Sequence, residues 1–338
     1  MISYSKLAVE RDRDEYRELF RAVFAKEMSE ELFAWKYLAN PHQVDREHCL
    51  IFVARDGDQL VGARSLFPGR VFYRGAWYAG AQGGDTMVLP SHRGRGIFSA
   101  LLELSVAELG ARGLNVLYNF PNRNSLRGNL SQGARLTKKM YTGVRLLDAG
   151  KARRRETHKL LPAPDLPVRG ELPAPRGYAL TLGLYAAPQV DELFLQAFTG
   201  VGLVAQDRTS AQLNWRFGQY PNPHKTYRFI HLWQDQVLLG YAVLALSGNG
   251  VGEIADYLVR GHSPGHFTRL LGGALSWFRR HGATHAKVWY AYPEHRGVLT
   301  LRGFIPKRLN ISFVTRFLAP ALFEQAPWYL SMGDTDTF

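Results

Sequence analysis

Residues 88–98 read Val88-Leu89-Pro90-Ser91-His92-Arg93-Gly94-Arg95-Gly96-Ile97-Phe98. An apolar run ends in proline, and an arginine- and glycine-rich stretch follows. A second apolar run, FSALLELSVAELGARG, then opens with leucines at helical spacing. The segment reads as a strand-to-helix turn. As a solvated turn, its arginines would only face water. As an anion cradle, the same residues have specific uses. The first turn of a helix presents N–H groups with no internal partner, and the helix dipole adds partial positive charge. Glycine lets the backbone approach a ligand closely, and arginine adds charge-assisted hydrogen bonds. Together these parts suit a pyrophosphate. Two familiar phosphate loops do not fit. A G-x-x-x-x-G-K-[ST] loop is absent, and Gly94-Arg95-Gly96 begins a G-x-G-x-x-G pattern that Ser99 breaks.

The chain outside this segment repeats itself. Trp35-Lys36-Tyr37 and Asn40-Pro41-His42 return as Trp215-Arg216-Phe217 and Asn222-Pro223-His224. Each signature precedes alternating apolar runs around Asp56-Gly57 or Gln234-Asp235, which predict a hairpin. A glycine-closed helical pattern follows in both (SALLELSVAELGARG, TRLLGGALSWFRRHG), then Gly133 or Gly303 and a final strand-like run. Each half thus reads helix, hairpin, strand, helix, strand, helix, strand. Between them, residues 151–177 hold Pro162, Pro164, Pro167, Pro173 and Pro175 among basic residues, a composition that predicts an extended linker. The expected organisation is a first domain at 1–150, this linker, a second domain at 178–320 and a tail at 321–338.

The chain has 338 residues, 46% of them hydrophobic and 21% charged, a globular composition. No apolar segment is long enough to span a membrane, and the N-terminal MISYSKLAVERDRDEY has no signal-peptide core. Cys49 is the lone cysteine, which excludes a disulfide framework and makes a cytoplasmic setting the expectation. The net charge of +13 suggests an anionic partner, with nucleic acid, a phosphorylated cofactor and a charged surface all compatible.

VLPSHRGRGIFSALLELS resembles the acyl-CoA motif of the GNAT superfamily of N-acyltransferases, a V-x-P turn followed by R/Q-x-x-G-x-G/A opening a helix. Arg93, Gly96 and the helix match, while Phe98 stands where Gly or Ala is usual. Asn122, Ser125 and Gly133-Ala134 keep the spacing of a second GNAT signature, and FPNRNS is similar to the multi-domain branch that includes the Eis-type enzymes. The resemblance implies an α/β fold of the α+β type, with two GNAT-like domains in tandem, each a mixed, mostly antiparallel sheet flanked by helices. It also implies acetyl-CoA as cosubstrate. Arg93, Gly94, Arg95, Gly96, Ile97 and Phe98 would hold its pyrophosphate, with Asn122 and Ser125 beside them. The backbone of Met87, Val88 and Leu89 would lie along the pantetheine. The second half, RGHSPGHF, lacks the motif and is expected to wall off the acceptor site.

Acetyl transfer to an amine needs a proton acceptor, and Asp85 in the strand before the turn is the candidate. The tyrosine that many GNAT domains use as acid is replaced by Asn129, which leaves Tyr118 and Tyr141, with Tyr118 as the candidate donor. The resemblance to Eis-type enzymes adds the terminal carboxylate of Phe338, or Asp334 or Asp336 in the tail, which Trp328 and Tyr329 would anchor. His262/His266 and His281/His285 have i, i+4 spacing but no third ligand, so no metal is implied. The expected function is acetyl-CoA-dependent N-acetylation of a small amine, such as an amino sugar, an aminoglycoside-like compound or an amino-acid derivative. A Fem-like transferase using aminoacyl-tRNA and a non-catalytic acyl-CoA-binding protein are the alternatives, and nucleic acid is not the expected partner.

Overall fold

Two rounds of the same element order build one continuous sheet. The computed structural model describes residues 1–43, 49–154, 164–221 and 224–335. The first round runs β1 (Ile2–Lys6), α1 (Val9–Phe24), α2 (Glu30–Phe33) with a π-helical turn at Ala34–Leu38, β2 (Ile51–Asp56), β3 (Gln59–Tyr73), β4 (Ala76–Val88), α3 (Ile97–Ala111), β5 (Val116–Asn119), α4 (Arg123–Ser131) and β6 (Arg135–Leu146). A short helix α5 (Ala149–Arg154) and strand β7 (Gly170–Leu172) lead on. The second round runs β8 (Ala179–Gly183), α6 (Val190–Phe198), β9 (Val204–Gln206), α7 (Ser210–Leu213) with a π-helical turn at Asn214–Gly218, β10 (Lys225–Gln234), β11 (Val237–Ser247), β12 (Val251–Val259), α8 (Pro264–Arg280), β13 (His285–Trp289), α9 (His295–Leu301) and β14 (Ile305–Phe317). Strand β15 (Trp328–Tyr329) and a 3-10 turn at Met332–Asp334 close the described chain.

The hairpin turns have the chemistry they need. Gly57 has φ +60, and Asp235 and Gln236 have φ +45 and +66, the left-handed geometry of a two-residue turn between right-twisted strands. The strands of the first hairpin alternate little, because β2 and β3 are covered on both faces: α1 packs on one side of the sheet and α3 on the other.

The strand order is β1-β2-β3-β4-β5-β14-β6-β13-β12-β11-β10-β8-β7. The last strands of the two halves are therefore exchanged. β14 pairs with β5 of the first half, and β6 pairs with β13 of the second. The segment between the halves is also part of this fabric. β7 pairs with β8, and Arg228 donates from Nε to the Pro167 carbonyl and from Nη2 to the Leu166 carbonyl, each at 2.6 Å. The described part of the proline-rich stretch is extended and docked, while the helical turn of α5 precedes its first proline.

The repeated tryptophan signature is the hinge of the internal symmetry. Trp35 and Trp215 stack with ring centroids 5.1 Å apart. Each indole N–H donates to the other's backbone carbonyl, at 2.8 and 3.0 Å. Two π-helical turns thus meet back to back, satisfying both buried indoles and two carbonyls at once.

Buried His231 accepts a hydrogen bond from the Ala187 amide at 3.1 Å, which requires a neutral ring, and burial lowers its pKa to about 4. Below pH 6.5 the unfolded chain takes up a proton here that the folded chain does not. Stability is then full above that value and falls as pH drops toward 4, by roughly 3 kcal/mol from this residue. Urea unfolding midpoints at neutral and mildly acidic pH test this. His231→Gln keeps an acceptor without a titrating ring and is expected to flatten the dependence; an unchanged slope would remove His231 as its source.

Candidate functional site

The site begins where β4 and β5 part. Their parallel pairing covers only Gly80–Val116, Ala81–Leu117 and Gln82–Tyr118. β4 then runs on to Val88 paired with β3 alone, bent by an extra residue opposite Arg64, with Asp85 at φ +33. Met87 is buried, and the Leu89 amide donates to the Val61 carbonyl of β3 at 2.9 Å. By the alternation of a strand, Val88 turns its groups to the opposite, unpaired edge. There its carbonyl accepts from Arg93 Nε at 3.3 Å. Of the three residues expected along the pantetheine, Val88 thus presents its backbone to the gap, while the Leu89 amide is already engaged.

The turn after β4 delivers α3 with its N-terminus open. Gly94 and Gly96 have φ +80 and +79, values that L side chains resist, and a Cβ at either position would meet nothing within 4 Å. Gly96 is the N-cap and supplies no side-chain acceptor, so Ile97, Phe98 and Ser99 begin the helix without a side-chain cap. Arg93 and Arg95 are exposed beside it, and Arg95 reaches Asp56 at 3.5 Å. The Phe98 ring packs on Gly128 of α4 so closely that a Cβ there would lie 2.7 Å from it. Phe98 therefore spaces α3 from α4 while leaving its amide in the first turn. Asn122 and Ser125 are brought together at the start of α4. Asn122 caps the helix by accepting from the Asn124 and Ser125 amides at 2.9 and 3.1 Å, and Ser125 Oγ lies 3.3 Å from the same oxygen.

Among the described residues the second half has no equivalent opening. α8 starts with Pro264, which has no N–H, and the Ser263 hydroxyl accepts from the His266 amide at 3.4 Å. The gap beyond β12 and β13 is plugged. The Tyr329 hydroxyl donates to the Tyr257 carbonyl, His295 Nε2 lies 2.9 Å from the His262 carbonyl, and His262 stacks on Tyr292 at 4.1 Å.

A pocket between the halves lies beside the β4–β5 gap. Its walls include Lys36, His42, Arg70, Tyr118, Asp207 and Arg216. Asp85 stands behind Lys36. Its carboxylate is 2.5 Å from Lys36 Nζ and also accepts from the Tyr37 hydroxyl, which continues through Tyr16 (2.8 Å) to Ser65 (2.6 Å). Lys36, not Asp85, faces the pocket. Tyr118 is buried, and burial pushes its hydroxyl above the ordinary tyrosine range, so it stays protonated.

Opposite, His42 Nε2 lies 3.1 Å from Asp207 Oδ2, and Arg70 Nε donates to the same oxygen at 2.8 Å. Burial opposes the charge of Asp207. Yet His42, the Thr209 amide and Arg70 hold the carboxyl below the usual range. This dyad spans the two halves, so no reading of either alone would assemble it. Its sequence signal is the Asn-Pro-His repeat, in which Asn40 holds the turn by donating to the Pro68 carbonyl and accepting from the His42 amide.

The tail reaches the same pocket through Gly333 and Thr335. Trp328 and Tyr329 are buried anchors, as their position suggests. Asp334, a tail candidate for a base, is instead sealed in an ion pair with Arg208 at 2.5 Å. Phe338 and Asp336 lie outside the described residues.

Residues 5–129 match the family model described as an acetyltransferase (GNAT) domain. No curated protein matches the chain. Among solved structures, a conserved protein of unknown function from Enterococcus faecalis V583, described as a probable N-acyltransferase, is 16% identical and aligns with TM-score 0.64 over 94% of this chain and 73% of its own. A GCN5-related N-acetyltransferase from Anabaena variabilis gives TM-score 0.65 at 14% identity over 94% and 73%. A tandem GNAT protein from the clavulanic acid biosynthesis pathway gives 0.57 at 19% identity over 95% and 100%. The family model falls on the half that carries the open helix start, and the shared folds extend over the other half as well. Residues 5–129 accordingly form a GNAT acetyltransferase domain, and the chain as a whole shares the fold of solved GNAT proteins.

Proposed function

We propose that this enzyme transfers an acetyl group from acetyl-CoA to the primary amine of a small acceptor, with one active site per chain. The observation that carries the reading is the uncapped, glycine-framed start of α3 beside the β4–β5 gap, set against the proline-blocked, plugged counterpart in the second half. The amides of Ile97 and Phe98, with Gly94, Gly96, Arg93 and Arg95, are suited to the pyrophosphate, and the edge of β4 at Val88 to the pantetheine. Asn122 and Ser125 act by fixing the α4 wall.

The acceptor nitrogen attacks the thioester carbonyl carbon directly. The C–N bond forms, the C–S bond breaks, and the electron pair leaves on sulfur. His42, with Nε2 3.1 Å from Asp207 Oδ2, is the candidate acceptor for the amine proton. Tyr118, kept protonated by burial, can donate a hydrogen bond to the leaving sulfur. The thiolate, whose conjugate thiol has a pKa of about 8.5, departs as the anion and takes its proton from solvent. Lys36, held by Asp85, faces the pocket as a cation for the oxyanion, which makes Asp85 a positioning residue. His42→Ala is expected to lower kcat about 100-fold, the usual scale for a general base, with CoA affinity retained. His42→Ala turnover equal to wild type would discard the dyad. The reading as a whole is tested by following thiol release from acetyl-CoA across a panel of primary amines. Tight CoA binding with no release for any amine would favour a non-catalytic acyl-CoA-binding protein.

A further inference from the structure

We propose that the acceptor is an amine whose apolar body carries an anionic group, and that a groove on the second half's sheet binds that body. The inference rests on the N-acetyltransferase reading above and selects among its acceptor classes. The groove, about 720 Å³, runs across β14, β6, β13 and β12. It shares Arg216, Gly333 and Thr335 with the pocket that holds His42, so the two spaces adjoin along the tail.

Cross-strand register puts its side chains in rows on one face. Ile305, Val144, Lys287 and Glu253 form one row; Lys307, Thr142 and Trp289 form the next. The floor is apolar, with Phe217, Tyr227 and Trp289. At the outer end, Leu146 and Ile305 are 52% and 73% exposed, an unusual position for large apolar side chains on a sheet face. Glu253 is the acidic residue in the lining, and it is paired with Lys225 at 2.9 Å. Lys287 and Lys307 have no ion-pair partner among the described residues. An apolar trough with two uncompensated ammonium groups on its walls complements an apolar chain that ends in a carboxylate or phosphate. It repels a polycation such as an aminoglycoside. From Thr142 to Leu146 the trough follows β6 over five residues, roughly 13 Å at about 3.3 Å per step, which matches a medium-length chain.

The test compares ω-aminododecanoate with dodecane-α,ω-diamine, which has the same apolar spacer and a cation in place of the carboxylate. Binding to the full-length enzyme is measured by calorimetry, and turnover by thiol release. The amino acid is expected to bind at least about ten-fold tighter than the diamine, a gap of about 1.4 kcal/mol. Lys287→Met/Lys307→Met, which keeps the apolar stems, is expected to bring the ratio near one, and Lys287→Glu/Lys307→Glu to invert it. Equal binding of the two ligands by the wild type, or a preference that survives both double variants, overturns the groove assignment. Thiol release with simple amines but no chain-end preference also sinks it while leaving the acetyltransferase reading intact. Preferential binding without thiol release from any amine does the opposite.

Discussion

Gly96→Glu is expected to weaken CoA binding by about a thousand-fold or more while leaving the fold in place. Gly96 has φ +79, so any L side chain adds roughly 1–2 kcal/mol of backbone strain there. Space is not the obstacle, since nothing lies within 4 Å of the added Cβ. Charge is the larger effect. A carboxylate at the N-cap accepts from the first-turn amides that the pyrophosphate would use, and it repels the anion. At an effective dielectric near 20, two unit charges about 4 Å apart interact by about 4 kcal/mol. Together these reach roughly 5 kcal/mol, more than three factors of ten. Calorimetric titration with CoA decides it, with the unfolding midpoint as control. Gly96→Ala separates the terms, because it brings the strain without the charge and is expected to cost about ten-fold. Wild-type affinity in Gly96→Glu would remove the α3 N-terminus from the cofactor site.

Arg208→Met is expected to destabilise the protein by about 4 kcal/mol and to detach the tail from the interdomain pocket. Arg208 is buried, with Nε 3.2 Å from Asp256 and Nη2 2.5 Å from Asp334. It also donates to the Ser331 hydroxyl and the Gln206 carbonyl. Without its guanidinium, two buried carboxylates face each other with only Tyr241 and the Ser331 amide and hydroxyl to hold them. Much of the loss belongs to those orphaned charges rather than to the worth of the pairs. The triple variant Arg208→Met/Asp256→Asn/Asp334→Asn, which removes all three charges, is therefore expected to recover most of the stability. Urea midpoints for the single and triple variants measure this. A single variant within 1 kcal/mol of wild type would show that the cluster does not hold the tail. Asp256 occupies in the second half the position of Asp85 in the first, yet its partners differ. Asp85 supports a lysine that faces a pocket, whereas Asp256 is locked to a structural arginine.

Much of this architecture is legible locally. The strand-turn-helix at Val88–Phe98 declares itself through proline, two glycines and a leucine repeat, all of which act within a few residues. The duplication is legible because Trp-x-aromatic and Asn-Pro-His recur in order, and the absence of the motif from the second half shows in RGHSPGHF, where Arg and Gly are off the motif spacing and Pro264 interrupts. Phe98 is different. Its departure from the family pattern makes sense only against Gly128, a helix away.

What the linear chain leaves open comes from pairings at long range. Propensity marks Arg135–Leu146 and Ile305–Phe317 as strands but carries no information on which sheet edge each will join, so the exchange of β6 and β14 appears only in the folded molecule. The His42–Asp207 dyad joins residues from different halves, and Asp334 becomes a buried partner of Arg208 because β15 docks on β9. The sequence alone determined the repeated α/β order, the glycine-framed turn into α3 and the half that carries it, because periodicity, turn chemistry and helix capping are local interactions. The tertiary structure decided which charged side chains face the pocket and which are buried against one another, because that depends on strand exchange and on the packing of Trp35 against Trp215.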